Sequence, residues 1–174
     1  MSEPRYVELQ VTSHFSFLRG ASSCEELFAQ AALAGIEALA VVDRNSLAGI
    51  VRAHEAAKTT GVRLIVGCRL DLTDGMSVLV YPTDRPAYSR LCRLLSLGKR
   101  RGGKAKCVLE WQDLVAYGEG LIAVLVPDLA DEECGLRLRR LRDAFGETPS
   151  IAIVAAVCSR SGAAASWSRT ASCS

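Results

Sequence analysis

The sequence predicts an α/β domain built on a parallel sheet with crossover helices. Two observations carry this. Ala38-Leu39-Ala40-Val41-Val42 is a short, unbroken apolar run, the mark of a strand covered on both faces. Around it, strand-like and helix-like periodicities alternate along the first 150 residues, which is the pattern of βαβ units. An open doubly wound sheet and a (β/α) barrel both fit that order.

The elements follow in turn. Tyr6-Val7-Glu8-Leu9-Gln10-Val11-Thr12 alternates apolar and polar residues, as a strand does. Ser22-Ser23-Cys24-Glu25 reads as a capping box opening a helix. That helix carries Leu27, Phe28, Ala31 and Ala32 on one face and stops at Gly35. After the apolar strand, Asn45 and Ser46 are expected to cap a second helix that runs to Gly61. Val62–Val66 is the next strand. Leu70–Leu72 and Ser77–Val80 flank Asp74-Gly75, a hairpin signal. Asp71 and Asp74 form a pair of nearby acids, of which Asp74 is assigned to turn chemistry. Asp84–Leu97 is expected to be helical, with Pro86 in its first turn, and Glu110–Tyr117 to be a short helix. Leu121–Val126 is a strand closed by Pro127, and Asp131–Phe145 an amphipathic helix ended by Gly146.

Composition narrows the function. At 174 residues, 49% hydrophobic and 23% charged, the chain has enough apolar surface for a core and is not a disordered protein. No run reaches the ~18 apolar residues of a membrane span. No apolar segment follows Met1, so a cytoplasmic address is expected. A net charge of +2 does not by itself imply a polyanionic partner. Seven cysteines without C-x-x-C spacing exclude a zinc ribbon and a thioredoxin-type site, leaving reduced, mostly buried thiols.

The final segment differs from the rest. All 19 acidic residues precede position 148, as do all Lys and Arg except Arg160 and Arg169. Residues 1–150 therefore read as the folded domain and 151–174 as a low-complexity tail rich in Ala and Ser. A natural disordered tail and an out-of-frame translation both account for it, and its lack of acid favours the second.

In either architecture a ligand site lies at the carboxyl ends of the parallel strands. These ends read Gln10-Val11-Thr12-Ser13-His14, Asp43-Arg44-Asn45 and Gly67-Cys68-Arg69. His14 is expected to be a loop histidine and His54 a surface one, and two so distant histidines cannot assemble a multi-His metal site. Arg85 to Lys106 holds eight basic residues and no acid, the sharpest charge asymmetry in the chain. Within it, Arg100, Arg101 and Lys104 are candidate contacts to DNA phosphates, set against a plain solvated face with a flexible Gly-Gly loop. Gly98–Lys104 approaches a Walker A loop, but Ala105 stands where Ser or Thr is needed and the segment follows a helix.

Three of these segments carry a family resemblance. Tyr6–Ser22, Leu39–Gly49 and Leu64–Leu70 resemble, in order and spacing, the first three motifs of the PHP domain (polymerase and histidinol phosphatase). The wording "LQVTSHFSFLRGAS", "DRNSLAGIVRAH", "YPTDRPAYSRLCRLLSLGKRR" and "AYGEGLIAVLVP" is similar to the N-terminus of the error-prone branch of bacterial C-family DNA polymerases, from about Arg5 to Phe145. The resemblance implies a distorted (β/α) barrel of PHP type, incomplete in this chain. It also implies a metal-dependent phosphoesterase site, held in active members by a His-x-His pair, a later His and a Glu. Gln10 and Thr12 stand at the His-x-His positions, Arg44 at the second-motif His and Arg69 at the Glu, while Asp43 keeps its type. A guanidinium has no lone pair to offer a cation. The site is therefore expected to be degenerate, with no metal or cofactor in this chain and no catalytic residue.

For the complete protein the resemblance implies DNA polymerisation in replication and translesion repair, with magnesium in a palm domain, and DNA and the rest of the polymerase chain as partners. This chain alone is expected to be inactive and to have no membrane partner. A free-standing, non-catalytic PHP-like scaffold or DNA-binding module is the alternative. Coding DNA that resumes palm-like sequence in another frame would favour the fragment. Asp43 is further expected to pair with an arginine, Arg69 ahead of Arg44, so that an ion pair replaces the metal.

Overall fold

The computed structural model describes residues 6–127 and 132–146. The 151–174 tail lies outside them. The chain runs β1 (Val7–Val11), α1 (Cys24–Leu33), β2 (Ala38–Val41), α2 (Ile50–Thr60), β3 (Arg63–Val66), β4 (Cys68–Asp71), β5 (Ser77–Pro82), α3 (Arg85–Gly102), α4 (Trp111–Tyr117), β6 (Leu121–Val126) and α5 (Glu132–Phe145).

The first half matches the βαβ expectation. β1, β2 and β3 form a parallel sheet in that order, with α1 and α2 as crossovers. The capping box sits one residue later than read. Ser23 is the N-cap, its hydroxyl accepts from the Glu26 amide, and the Glu26 carboxylate accepts from the Ser23 amide. Asn45 and Ser46 do not cap α2, whose N-cap is Gly49 without a side-chain bond. Asn45 instead takes a left-handed backbone, φ 47°, and its Oδ1 accepts from the Asp71 amide at 3.1 Å. A short polar side chain tolerates that conformation and here ties β2's exit to β4.

The second half departs from a parallel sheet. β4, β5 and β6 form an antiparallel sheet, in register from Cys68↔Val80 to Asp71↔Ser77 and from Ser77↔Val126 to Pro82↔Leu121. The reason lies in the connection: a tight turn at Asp74-Gly75 can reverse a strand, whereas a parallel neighbour needs a crossover. The two sheets do not close into a barrel among the described residues.

Instead they stack in layers. Leu39 and Val41 face α1 and α2, packing on Phe28, Ala31, Ile50, Ala53 and Ala56. The alternate residues Ala40 and Val42 face the second sheet and meet Leu79, Tyr81, Val124 and Val126. The far face of that sheet, through Leu70, Val78, Val80 and Leu125, packs on Leu91, Leu94, Leu114, Leu141 and Phe145 of the last three helices. β2 is thus buried on both faces, as its apolar run requires. β1 is not: Val11 packs on the α1–α2 side, but Val7 and Leu9 remain 37% and 41% exposed.

Gly67 is where the chain leaves one sheet for the other. A Cβ there would lie 2.7 Å from Val42 Cγ1 and 2.8 Å from the Tyr81 ring. The backbone of β2 continues past its end beside this bend: Gly67 N–H donates to Val41 O, Arg69 N–H to Asp43 O, and Asn45 N–H to Arg69 O. These bonds set Arg44 and Arg69 side by side in parallel register.

Candidate functional site

The strand ends and the hairpin turn enclose a pocket of about 490 Å³ lined by Thr12, Arg19, Arg44, Arg69, Asp71 and Ser77, with Leu72, Gly75 and Met76. Three of the five positions read from sequence, Thr12, Arg44 and Arg69, meet there. Gln10 lies half-buried on β1 and is not part of the lining.

Asp43 is the fourth strand-end residue, and it is 1% exposed beneath the rim. The expected pair with Arg69 does not form. Asp43 Oδ1 accepts from the Ser13 amide at 2.9 Å and the Ser16 hydroxyl at 2.7 Å, while Oδ2 accepts from the Ser13 hydroxyl at 2.7 Å. A buried carboxylate needs either a counter-charge or enough donors, and here the loop after β1 supplies donors. Ser16 also accepts from the Arg44 amide at 2.9 Å. The loop folds back tightly, and a Cβ on Gly20 would fall 2.2 Å from Ser13 O.

Both arginines turn instead to Asp71. Arg44 Nε donates to Asp71 Oδ2 at 2.5 Å and its terminal nitrogen Nη2 also pairs with that oxygen. Arg69 Nε donates to Asp71 Oδ1 at 3.1 Å, and its Nη2 to Ser77 Oγ at 3.0 Å. The Ser77 hydroxyl donates to Asp71 Oδ1 at 2.7 Å. The geometry explains the choice. Arg69 and Asp71 stand two apart on one strand and share a face, and Ser77 is directly opposite Asp71 across the hairpin. Burial raises the Asp71 carboxyl, but the Ser77 hydroxyl and the two guanidiniums outweigh it and hold the group below the ordinary carboxylate range. That shared strand face is a sequence signal the hairpin reading passed over.

These donors do not fit a divalent cation. The guanidiniums bring positive charge and no lone pair, and the oxygens of Asp71 and Asp43 are already taken by Arg, Ser and amide donors. Among the described residues no group of three His, Cys, Asp or Glu is placed to share an ion. His14 stacks on Phe15 with ring centroids 4.5 Å apart, and its Nδ1 lies 3.2 Å from Ser22 O. His54 is exposed on α2. Cys24 and Cys68 are buried, and burial pushes the Cys68 thiol up to about 12, so it is an inert packing residue.

The basic stretch is more ordered than expected. α3 continues through Gly98 to Gly102, because Gly98 lets Leu109 and Cys107 pack against the helix: a Cβ would lie 2.6 Å from Leu109 Cδ2. Arg101 pairs with Asp113 of α4, while Arg100 and Lys104 are exposed. Lys99 and Lys106 line a second pocket, of about 360 Å³, together with Arg44, Asn45 and Ser46.

Known proteins place this arrangement. The PHP domain family matches residues 8–152. "Error-prone DNA polymerase 1" of Agrobacterium fabrum (strain C58 / ATCC 33970) is 71% identical over 153 residues, covering 88% of this chain and 14% of that protein. "Error-prone DNA polymerase 2" of Rhizobium meliloti (strain 1021) is 68% identical over 149 residues, covering 86% of this chain and again 14% of the relative. The chain thus spans about one seventh of the length of these relatives. Among solved structures, a protein described as a metal-dependent phosphoesterase from Bifidobacterium adolescentis superposes with a TM-score of 0.58 at 14% identity, over 76% of this chain and 73% of that one. An amidohydrolase from Chromobacterium violaceum gives 0.57 at 18% identity, over 79% and 74%. Such low identities speak for the fold alone. With its family match over most of the chain and its close likeness to error-prone DNA polymerases, this chain belongs to the PHP domain family.

Proposed function

We propose that the chain is the PHP part of an error-prone DNA polymerase and serves that enzyme as a non-catalytic domain. The observation that supports this best is the Arg44–Asp71–Arg69 network, which occupies two positions where an active PHP site would hold cations. Polymerisation, its magnesium, and any role in replication and translesion repair belong to the part of the relatives that this chain does not span. The partners on this reading are the rest of the polymerase chain and, through it, DNA, in the cytoplasm. No described helix is long and apolar enough to cross a membrane.

The test is elemental analysis and assay of untagged 174-residue protein. Dialysed protein is expected to hold well under one zinc, manganese or iron per chain, to cleave no model phosphodiester when these ions are supplied, and to extend no primer. One retained transition metal per chain, or phosphodiesterase turnover lost on chelation, would overturn the reading.

A further inference from the structure

The rim pocket carries three guanidiniums, from Arg19, Arg44 and Arg69, against the single carboxylate of Asp71. Asp71 engages Nε and Nη2 of Arg44 and Nε of Arg69, and Ser77 takes Nη2 of Arg69. The Nη1 groups of both arginines have no partner among the described residues. Arg19, exposed on the loop that Asp43 fastens, has no carboxylate partner among them either. The pocket therefore presents oriented, uncommitted N–H donors and an excess of positive charge. Its volume lies within the ~300–1,000 Å³ usual for small-ligand sites. Leu72 and Met76, 6% and 1% exposed, pack beneath a lining whose surface is mostly polar.

We infer that this pocket is an anion site for a phosphate group, held between Arg19, Arg44 and Arg69. Guanidinium forks match the geometry of phosphate oxygens bidentately, and they keep their charge at any working pH. Asp71 pre-orients two of the three forks and tempers the site's affinity. Arg44 also lines the neighbouring pocket that holds Lys99 and Lys106, which adds to the positive field at this rim. The inference builds on the vacated metal positions but fails separately. Retained metal would overturn that earlier reading, whereas metal-free protein that ignores phosphate overturns this one alone.

The experiment is calorimetric titration of the 174-residue chain with inorganic phosphate at fixed ionic strength, with chloride and acetate as reference anions. Phosphate is expected to bind saturably and more tightly than either reference anion. Arg19→Ala, an exposed change that leaves the unfolding midpoint in chloride unaltered, should weaken phosphate by about fivefold or more. Asp71→Asn should destabilise the fold yet tighten phosphate several-fold, a sign that a merely structural role would not give. Arg100→Ala, on the exposed helix end, should change nothing. Pyrophosphate and a short oligothymidylate then distinguish the sources: a free phosphate compound predicts tighter pyrophosphate that the strand does not displace, and a nucleic-acid backbone predicts displacement by the strand. Phosphate binding no tighter than acetate, or unchanged by Arg19→Ala, overturns the site.

Discussion

Asp43 and Asp71 solve the same problem in different ways. Asp43 is buried and satisfied by neutral donors of the loop after β1, while Asp71 is partly exposed and satisfied by two cations and a hydroxyl. Asp43→Ala should therefore cost about 3 kcal/mol, since it strands the Ser13 and Ser16 hydroxyls and frees the loop. Double-mutant cycles in urea separate the two arrangements. Asp43→Leu with Arg69→Leu should add to within about 0.5 kcal/mol, and Asp71→Leu with Arg69→Leu should couple by about 1–2 kcal/mol, because the pair is half-screened by solvent. Coupling at Asp43 instead would refute the bonding described above. The pH dependence has a definite sign. Asp71 is held below its unfolded value, so its contribution is complete at neutral pH and is lost as pH falls through the ordinary carboxylate range and below. Asp71→Asn should remove that part of the acid limb, as followed by unfolding midpoints from neutral pH to pH about 3.

At the scale of the element, the bend between β3 and β4 decides where the site lies. Gly67 lets one extended segment serve two sheets, and the bonds beside it place Arg69 next to Arg44. Gly67→Ala should lose about 1–3 kcal/mol, since Val42 and Tyr81 belong to the packed interface between sheets and cannot retreat. Gly61 is a useful contrast. It ends α2 at φ +77° with nothing within 4 Å of a built Cβ, so Gly61→Ala should cost about 1 kcal/mol of backbone strain alone. Urea unfolding of both variants tests the order, and equal losses would mean that contact at Gly67 is not the deciding factor.

At the scale of the whole molecule, four layers run from α1 and α2 through two sheets to α3, α4 and α5, and among the described residues β1 forms an edge of the parallel sheet. β1 ends the parallel sheet, with Val7 and Leu9 partly exposed and Tyr6 62% exposed. An apolar edge strand is a template for pairing with another chain. Self-association of the 174-residue chain is expected to rise with concentration. Val7→Lys and Leu9→Lys together should suppress it, at a cost of about 1–2 kcal/mol because each apolar side chain is still more than half buried. Sedimentation velocity measures this. Association unchanged by the two lysines would place the contact elsewhere.

What the sequence determined by itself was local and periodic. The apolar run of β2, the capping box of α1, the Asp74-Gly75 hairpin and the helix from Asp84 each follow from short-range rules, and each stands in the structure within a few residues. Three of the five strand-end positions, Thr12, Arg44 and Arg69, were legible as well, because order along the chain brings strand ends to one rim. Tertiary structure decided which charges meet there. Arg69 was read as a partner for Asp43, yet the strand pleat turns it toward Asp71 and Ser77, while Ser13 and Ser16 close over Asp43 from a loop whose path no periodicity encodes. It decided the place of β6 in the antiparallel second sheet too, since β6 pairs with β5 across the intervening α3 and α4. The reason is common to both. Hydrogen bonds and ion pairs between residues distant in sequence depend on backbone direction in space, which side-chain pattern alone does not specify.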